Sequence, residues 1–272
     1  MLVGCSLSLF GEASPVDAAR SVREAGLVHV EMAIDHILDS GAKLSLPKGD
    51  PLARAWLEAI DAAGLRVAVV RFSAAAANSP PTLERATVGF EWARQLGADV
   101  VVLPGGAAFD ADERSRLIQQ HRRLGGEALD RGLIVALDTC PGICGDSRMM
   151  NAALADIDHP AVRLCFDTGG YLALNVAASV EVALQRVIGR IGCLRLTDHN
   201  DYDAEAWFPP LGCGCGVDFA RTLQLLDAID FSGPCMIDCR PKSRRPPTLK
   251  DRRNWLAESL EHLGQCGWPI DD

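Results

Sequence analysis

An alternation constrains this chain more than any other feature. Short apolar runs are each followed by a stretch with helical patterning, and the pair recurs eight times. The runs are LVGCSL (2–7), VHVEMA (28–33), LRVAVV (65–70), ADVVVLP (98–104), LIVALD (133–138), VRLCFD (162–167), CLRLTD (193–198) and CMIDC (235–239). Ser14 and Pro15 read as an N-cap and first helical residue, with Gly26 as the stop. Further helices are expected over 51–63, 82–96, a long segment through His121 to Arg131, 147–156, 178–190, 217–229 and 249–263. Runs that are apolar throughout suit parallel strands buried on both faces. Alternating strands and helices then leave a doubly wound sheet or a closed barrel. Eight units in 272 residues favour the TIM (β/α)8 barrel, and no Ser- or Pro-rich linker divides the halves. No G-x-G-x-x-G follows the first strand, which argues against a dinucleotide fold. The expectation is an α/β protein, one barrel domain over 1–272.

Charge narrows the partners. A net charge of −9 argues against a general nucleic-acid or anionic-membrane binder. No run approaches the length of a membrane-spanning helix. The start, MLVGCSLSLFGEASP, lacks a basic signal-peptide region, so a cytoplasmic location is expected. The ten cysteines are then read as free thiols, with Cys5, Cys165 and Cys193 as small core residues.

In such barrels chemistry sits where strands enter the following loops. Strand 2 offers Glu31, strand 5 ends in Asp138, strand 6 in Asp167, and strand 8 carries Asp238. Strand 7 holds Arg195 among Cys193, Leu194 and Leu196, then Asp198 and His199. A buried guanidinium needs carboxylates around it, and converging carboxylates need a cation. Alternatively, each aspartate caps the helix or loop that follows it.

These residues resemble the xylose isomerase-like TIM-barrel family, the sugar-phosphate isomerases and epimerases with endonuclease IV as a distant branch. LDTCPG (137–142) resembles the family's fifth strand end, with Asp138 in a glutamate's place. Asp167-Thr168-Gly169-Gly170 resembles its Asp-Thr-Gly-His, and Arg195-Leu196-Thr197-Asp198 its His-x-Lys-Asp. Pro210-Leu211-Gly212-Cys213-Gly214 matches its Pro-Leu-Gly-x-Gly loop, and Val217-Asp218-Phe219 opens the next helix as in the family. Asp238 takes the place of the closing glutamate.

The resemblance implies a divalent metal held at the places of Asp138, Asp167, Arg195 and Asp238. Arginine has no lone pair to give, so Arg195 cannot serve there. The resemblance also implies isomerase or epimerase chemistry, a proton taken next to a carbonyl and returned. Asp138 and Asp238 would be the acid/base pair. Either Mg or Mn sits on Asp138, Asp167 and Asp238 with water, completed by Glu31 or His199, or Arg195 acts as a fixed cation for an enediolate. A second possibility is a non-catalytic, sugar-binding barrel in which Arg195 replaces the metal and pairs with Asp138, Asp167 and Asp238. The expected ligand is a small carbohydrate-like molecule, contacted by Glu31, Asp198, His199, Trp207 and Arg240. Dimers and tetramers are common among relatives, and whether this chain forms a homo-oligomer is left open. Endonuclease-like repair fits poorly, since only His36 and His199 among six histidines fall at plausible positions.

Three features stay open. RPKSRRPPTLKDRR (240–253) carries seven basic residues against one acidic. Arg240, Lys242, Arg244 or Arg245 would grip an anionic substrate group, or the segment is a solvated loop. Cys140, Cys144, Cys213, Cys215 and Cys239 fall on the predicted catalytic face, but their spacings match no common metal pattern. DYDAEAWFPP (201–210) is either a lid or a subunit contact. His121, His159 and His262 are expected to be solvated.

Overall fold

A computed structural model describes residues 1–34, 51–72, 80–200, 208–214, 216–241 and 245–270. Eight parallel strands close into a barrel in chain order, β1 pairing with both β2 and β8. The strands are β1 (Leu2–Ser6), β2 (His29–Ala33), β3 (Arg66–Arg71), β4 (Val100–Pro104), β5 (Ile134–Asp138), β6 (Val162–Asp167), β7 (Ile191–Leu196) and β8 (Pro234–Ile237). Around them run α1 (Pro15–Glu24), α2 (Pro51–Ala62), α3 (Leu83–Leu96), α4 (Ala111–Leu129), α5 (Ser147–Ile157), α6 (Thr168–Leu174), α7 (Val180–Val187), α8 (Phe219–Asp227) and α9 (Leu249–Gln265). The TIM-barrel expectation is therefore met.

The helices start on side chains chosen for that purpose. Ser14, Thr82, Asp110, Asp146, Ser179, Asp218 and Thr248 each accept a first-turn backbone N–H. Such caps satisfy amides that have no partner inside the helix. Two elements differ from expectation. Helix α6 follows β6 directly, because the Asp167 side chain accepts from Gly170 N and starts a helical turn at once. Strand β3 runs one residue further than its apolar run, to Arg71.

Strand parity sorts the side chains. One apolar cluster comprises Val69, Val100, Val102, Ala136, Cys165, Cys193 and Met236, and it fills the barrel. The alternate residues, among them Val70, Leu137, Phe166, Leu194 and Ile237, belong to the larger core shared with the helices. Successive strand residues face opposite sides, so two residues past each inner plug position comes another inward one. Those positions are Arg71, Asp138, Asp167, Arg195 and Asp238. On β1 and β2 the same step from Gly4 and His29 gives Ser6 and Glu31, which are themselves register partners. A charged layer thus lies one pleat above an apolar plug.

Adjacent glycines in α4 test how the helices meet the barrel. A Cβ on Gly126 would meet nothing, whereas one on Gly125 would lie 2.6 Å from His159 Nδ1 and 2.7 Å from Val162 Cγ2. We expect Gly126→Ala to stabilise by about 0.5–1 kcal/mol. Gly125→Ala should destabilise by about 1–3 kcal/mol through overpacking. Urea unfolding followed by tryptophan fluorescence reads both, and shifts of the same sign would refute the packing described here.

Candidate active site

The charged layer is an alternating chain of ions crossing the barrel. Arg71 is 2 % exposed. Its Nε lies 2.9 Å from Glu31 Oε2 as a close charge pair, and its Nη1 donates to Asp138 Oδ2 at 2.5 Å. Its Nη2 donates to Cys165 Sγ at 3.2 Å. Glu31 Oε1 accepts from Ser6 Oγ at 2.9 Å and lies 3.9 Å from Arg195 Nη2. That same Nη2 donates to Asp238 Oδ2 at 2.5 Å, and Arg240 Nη2 reaches Asp238 Oδ2 at 3.0 Å. The sequence is therefore Asp138, Arg71, Glu31, Arg195, Asp238, Arg240.

Arg195 thus has the carboxylate neighbours its apolar setting demanded. Arg71 does the same work, and the sequence reading missed it. It ends the run RVAVVR, and the expected strand stopped one residue short, at Val70. Its signal is a basic residue that closes an apolar run, two positions past the inward Val69.

The remaining residues divide clearly. Asp167 caps α6, accepting from Gly170 N at 2.8 Å and from Thr197 Oγ1. For this aspartate the capping reading holds. Asp198 Oδ2 accepts from Gly212 N and Gly214 N, each at 2.9 Å, and its Oδ1 from His199 N at 2.8 Å. It is fully buried and organises the glycine loop, so its carboxylate is turned away from a ligand role. His199 is buried beside Phe208, ring centroids 6.4 Å apart, and the Arg240 guanidinium lies over the Phe208 ring, 5.5 Å from its centroid. Trp207, His36, Cys215, Lys242 and Arg244 lie outside the described residues. Arg245 is bound to Asp251, Arg252 to the Leu9 carbonyl, and Arg253 to Ser21 and Glu24, so much of the basic stretch serves structure. His121 corrects the solvated expectation. It is fully buried, its Nε2 lies 2.8 Å from Gly105 O, and burial lowers its pKa to about 4.

The cysteines do not form a thiolate site among the described residues. Cys140, Cys144 and Cys239 are buried, and burial pushes each thiol up. Nor do the carboxylates form a metal shell. Among the described residues no three His, Cys, Asp or Glu side chains are grouped to hold an ion. Glu31 and Asp138 are occupied by Arg71, Asp238 by Arg195 and Arg240, and Asp167 by its cap. A divalent ion placed among them would meet two fixed guanidinium charges. Asp138, Asp167 and Asp238 therefore do not fit the Mg or Mn that the sequence suggested for them. Within the charged layer four buried atoms have no hydrogen bond among the described residues: Asp138 Oδ1, Asp238 Oδ1, Arg195 Nε and Arg71 Nε, the last facing Glu31 as a charge pair only.

Two aspartates titrate in opposite senses. Burial alone would push Asp238 up, but Arg195, Arg240 and Arg71 outweigh it and hold the carboxyl below its usual range. Folding then releases protons, so this stabilisation is present at neutral pH and is lost as pH falls below about 4. Burial pushes Asp167 up, aided by Asp138 and opposed chiefly by Arg195. Its folded state prefers the proton, so its contribution is best below about pH 4 and declines as pH rises. Asp238→Asn should therefore cost about 3–5 kcal/mol at pH 7, since it strands buried guanidinium charge. Asp167→Asn keeps an acceptor oxygen, should cost less than about 1 kcal/mol, and should flatten the pH dependence above about pH 4. Denaturant titrations across that range check this, and equal losses in the two variants would contradict it.

With the geometry described, comparison with known proteins becomes informative. The family model described as xylose isomerase-like TIM barrel matches residues 19–266. No curated protein sequence matches the chain. Among solved structures, an L-ribulose 3-epimerase is 16% identical with a TM-score of 0.75, covering 98% of this chain and 94% of that one. The D-allulose 3-epimerase from Methylomonas sp. is 19% identical with a TM-score of 0.72, covering 98% of each chain. The probable 3-DHS dehydratase from Bacillus anthracis is 14% identical with a TM-score of 0.72, covering 97% of this chain and 99% of that one. At such identities the structural likeness establishes the fold alone, and the family model, which spans most of the sequence, establishes the lineage. The chain belongs to the xylose isomerase-like TIM-barrel family.

Proposed function

We propose that the protein is an isomerase or epimerase of small carbohydrate-like carbonyl compounds, working by proton transfer on a carboxylate with guanidinium groups as the electrophile. Family membership and the 3-epimerases among its structural neighbours support the class. The observation that carries it is the pairing of Asp138 Oδ1, buried and without a partner, with fixed cations in the same network. Oδ1 takes the proton next to the substrate carbonyl. The guanidinium charge of Arg195 stabilises the enediolate that forms, in a site where water does not screen it. The hydroxyl proton passes between the two enediol oxygens, and Asp138 returns its own proton to the neighbouring carbon, which leaves the carbonyl on the first.

The two acids are unequal. Asp238 is bound by Arg195 and Arg240 and held low, so it is a weak base. Inverting a centre needs an acid and a base on opposite faces, whereas moving a proton along one face needs a single carboxylate. The asymmetry favours aldose–ketose isomerisation over epimerisation. The same pinning of Asp238 favours a second reading, a sugar-binding barrel without turnover. No helix among the described residues is long and apolar enough to cross a membrane, and the ligand is taken from solution in both readings.

The test is incubation with D-allulose, D-fructose, L-ribulose and their aldose isomers in deuterium oxide, followed by proton NMR. We expect deuterium at the carbon next to the carbonyl, with the matching isomer as product. Asp138→Asn should slow this by about 10²–10⁴-fold and Arg195→Met by about 10²–10³-fold, each with substrate binding retained. Saturable binding of a sugar with no exchange in the native protein would establish the second reading instead.

A further inference from the structure

We propose that Arg71 and Arg195 together form a built-in cation that takes the place of a divalent metal, so that the pocket is metal-independent by construction. This assignment rests on geometry and stands under either functional reading.

Arg71 has a partner on each side of its fork, two hydrogen-bonded and one a charge pair. Nε faces Glu31 at 2.9 Å, Nη1 binds Asp138 at 2.5 Å, and Nη2 binds the Cys165 sulfur at 3.2 Å. An arginine with three separate partners and 2 % exposure has one orientation. Its partners come from β2, β5 and β6, so the guanidinium lies across the lumen rather than along its own wall. Arg195 enters from β7 and reaches Asp238 beyond β8, with Glu31 as the shared carboxylate between the two cations. A divalent ion in a carboxylate site performs this same task, holding anions from several strands around one positive centre.

The charges nearly balance. Glu31, Asp138, Asp167 and Asp238 face Arg71, Arg195 and the half-exposed Arg240, four against three. An added divalent ion would turn the layer positive in a low-dielectric interior, where unbalanced charge is costly. Of the oxygens such an ion would need, Asp138 Oδ2 and Asp238 Oδ2 already accept from guanidinium N–H groups, and Glu31 Oε1 accepts from Ser6 Oγ. The layer's atoms without a hydrogen bond are two single carboxylate oxygens and two guanidinium Nε, a mixed set of acceptors and donors that suits hydroxyl and carbonyl groups of a neutral ligand better than an ion.

The experiment is a Mn²⁺ titration of the full chain after dialysis against a chelator, followed by the loss of free Mn²⁺ signal in electron paramagnetic resonance. A thermal melt with and without Mn²⁺ runs in parallel. The native protein should show no saturable uptake at submillimolar Mn²⁺, and its Tm should move by less than about 1 °C. The double variant Arg71→Met, Arg195→His frees the carboxylates and adds an imidazole donor. It should take up one equivalent with affinity raised at least ~10-fold, and Mn²⁺ should raise its Tm. Tight uptake of one equivalent by the native protein overturns the proposal. A folded double variant that stays indifferent to Mn²⁺ overturns it too, since the freed carboxylates would then not surround a common centre. If the double variant does not fold, the native titration decides alone. Sugar turnover enters neither arm, so the outcome is separate from that of the proposed reaction.

Discussion

Two guanidinium groups inside a closed barrel impose a constraint that the rest of this site obeys. Moving one such charge out of water costs several kcal/mol even after relaxation, and only well-placed carboxylates offset it. Here each cation lies between two anions, and Glu31 touches both cations. Removing one member leaves its neighbour's charge less well compensated, at a cost of about 3–5 kcal/mol. It also crosslinks the strand ends, tying β2, β3, β5, β7 and β8 across the lumen. Below it the plug of Val69, Val100, Val102, Ala136, Cys165, Cys193 and Met236 keeps out water and keeps the local dielectric low. The same low dielectric that makes the charges costly to bury makes their mutual attraction strong.

Parity explains how one sequence delivers both layers. Five of the seven plug residues are followed two positions later by a charged one: Val69 by Arg71, Ala136 by Asp138, Cys165 by Asp167, Cys193 by Arg195, Met236 by Asp238; on β4, Val100 is followed by Val102 and that by Pro104. A one-residue register slip would turn these charges onto the helices and the plug outwards. Positions between them, such as Leu137, Phe166 and Leu194, are buried against helices and stay apolar. The charge pattern therefore specifies strand register as firmly as the hydrophobic pattern does.

Much of this was legible in the sequence, and the failures have physical causes. Alternating apolar runs and capped helices exposed the barrel because both periodicities are local. Arg195 was conspicuous because apolar residues surround it on both sides. Arg71 sits at a boundary, where an apolar run gives way to a loop, and a basic residue there reads as the first solvated position. Asp167 and Asp198 carried two signals at once. An aspartate after a strand is equally suited to a ligand, a cap or a loop, and only the positions of Gly170, Gly212 and Gly214 decide which. His121 reads as solvated because it sits within a polar helix, yet the acceptor that buries it, Gly105, is sixteen residues away in sequence. Contacts made across the fold are the part that a linear reading does not carry.

The replacement of a metal by arginine changes what the site does and not merely what it contains. A metal ion is a Lewis acid that exchanges ligands, so it can take the substrate's oxygens into its own shell. A guanidinium exchanges nothing; it offers N–H donors in a fixed plane and a charge that persists across the physiological pH range. Substrate oxygens therefore meet oriented hydrogen bonds rather than a vacant coordination position, which favours planar, delocalised anions such as an enediolate over tetrahedral alkoxides. The arginines also act unequally on the acids. Each carboxylate keeps one oxygen without a hydrogen bond, but one guanidinium pairs with Asp138, whereas Arg195 and Arg240 both converge on Asp238 and hold its carboxyl below the usual range. A two-base inversion needs comparable acids on opposite faces. With one carboxylate available and the other fixed as a counter-ion, the frame is better suited to carrying a proton along one face of a ligand than through it.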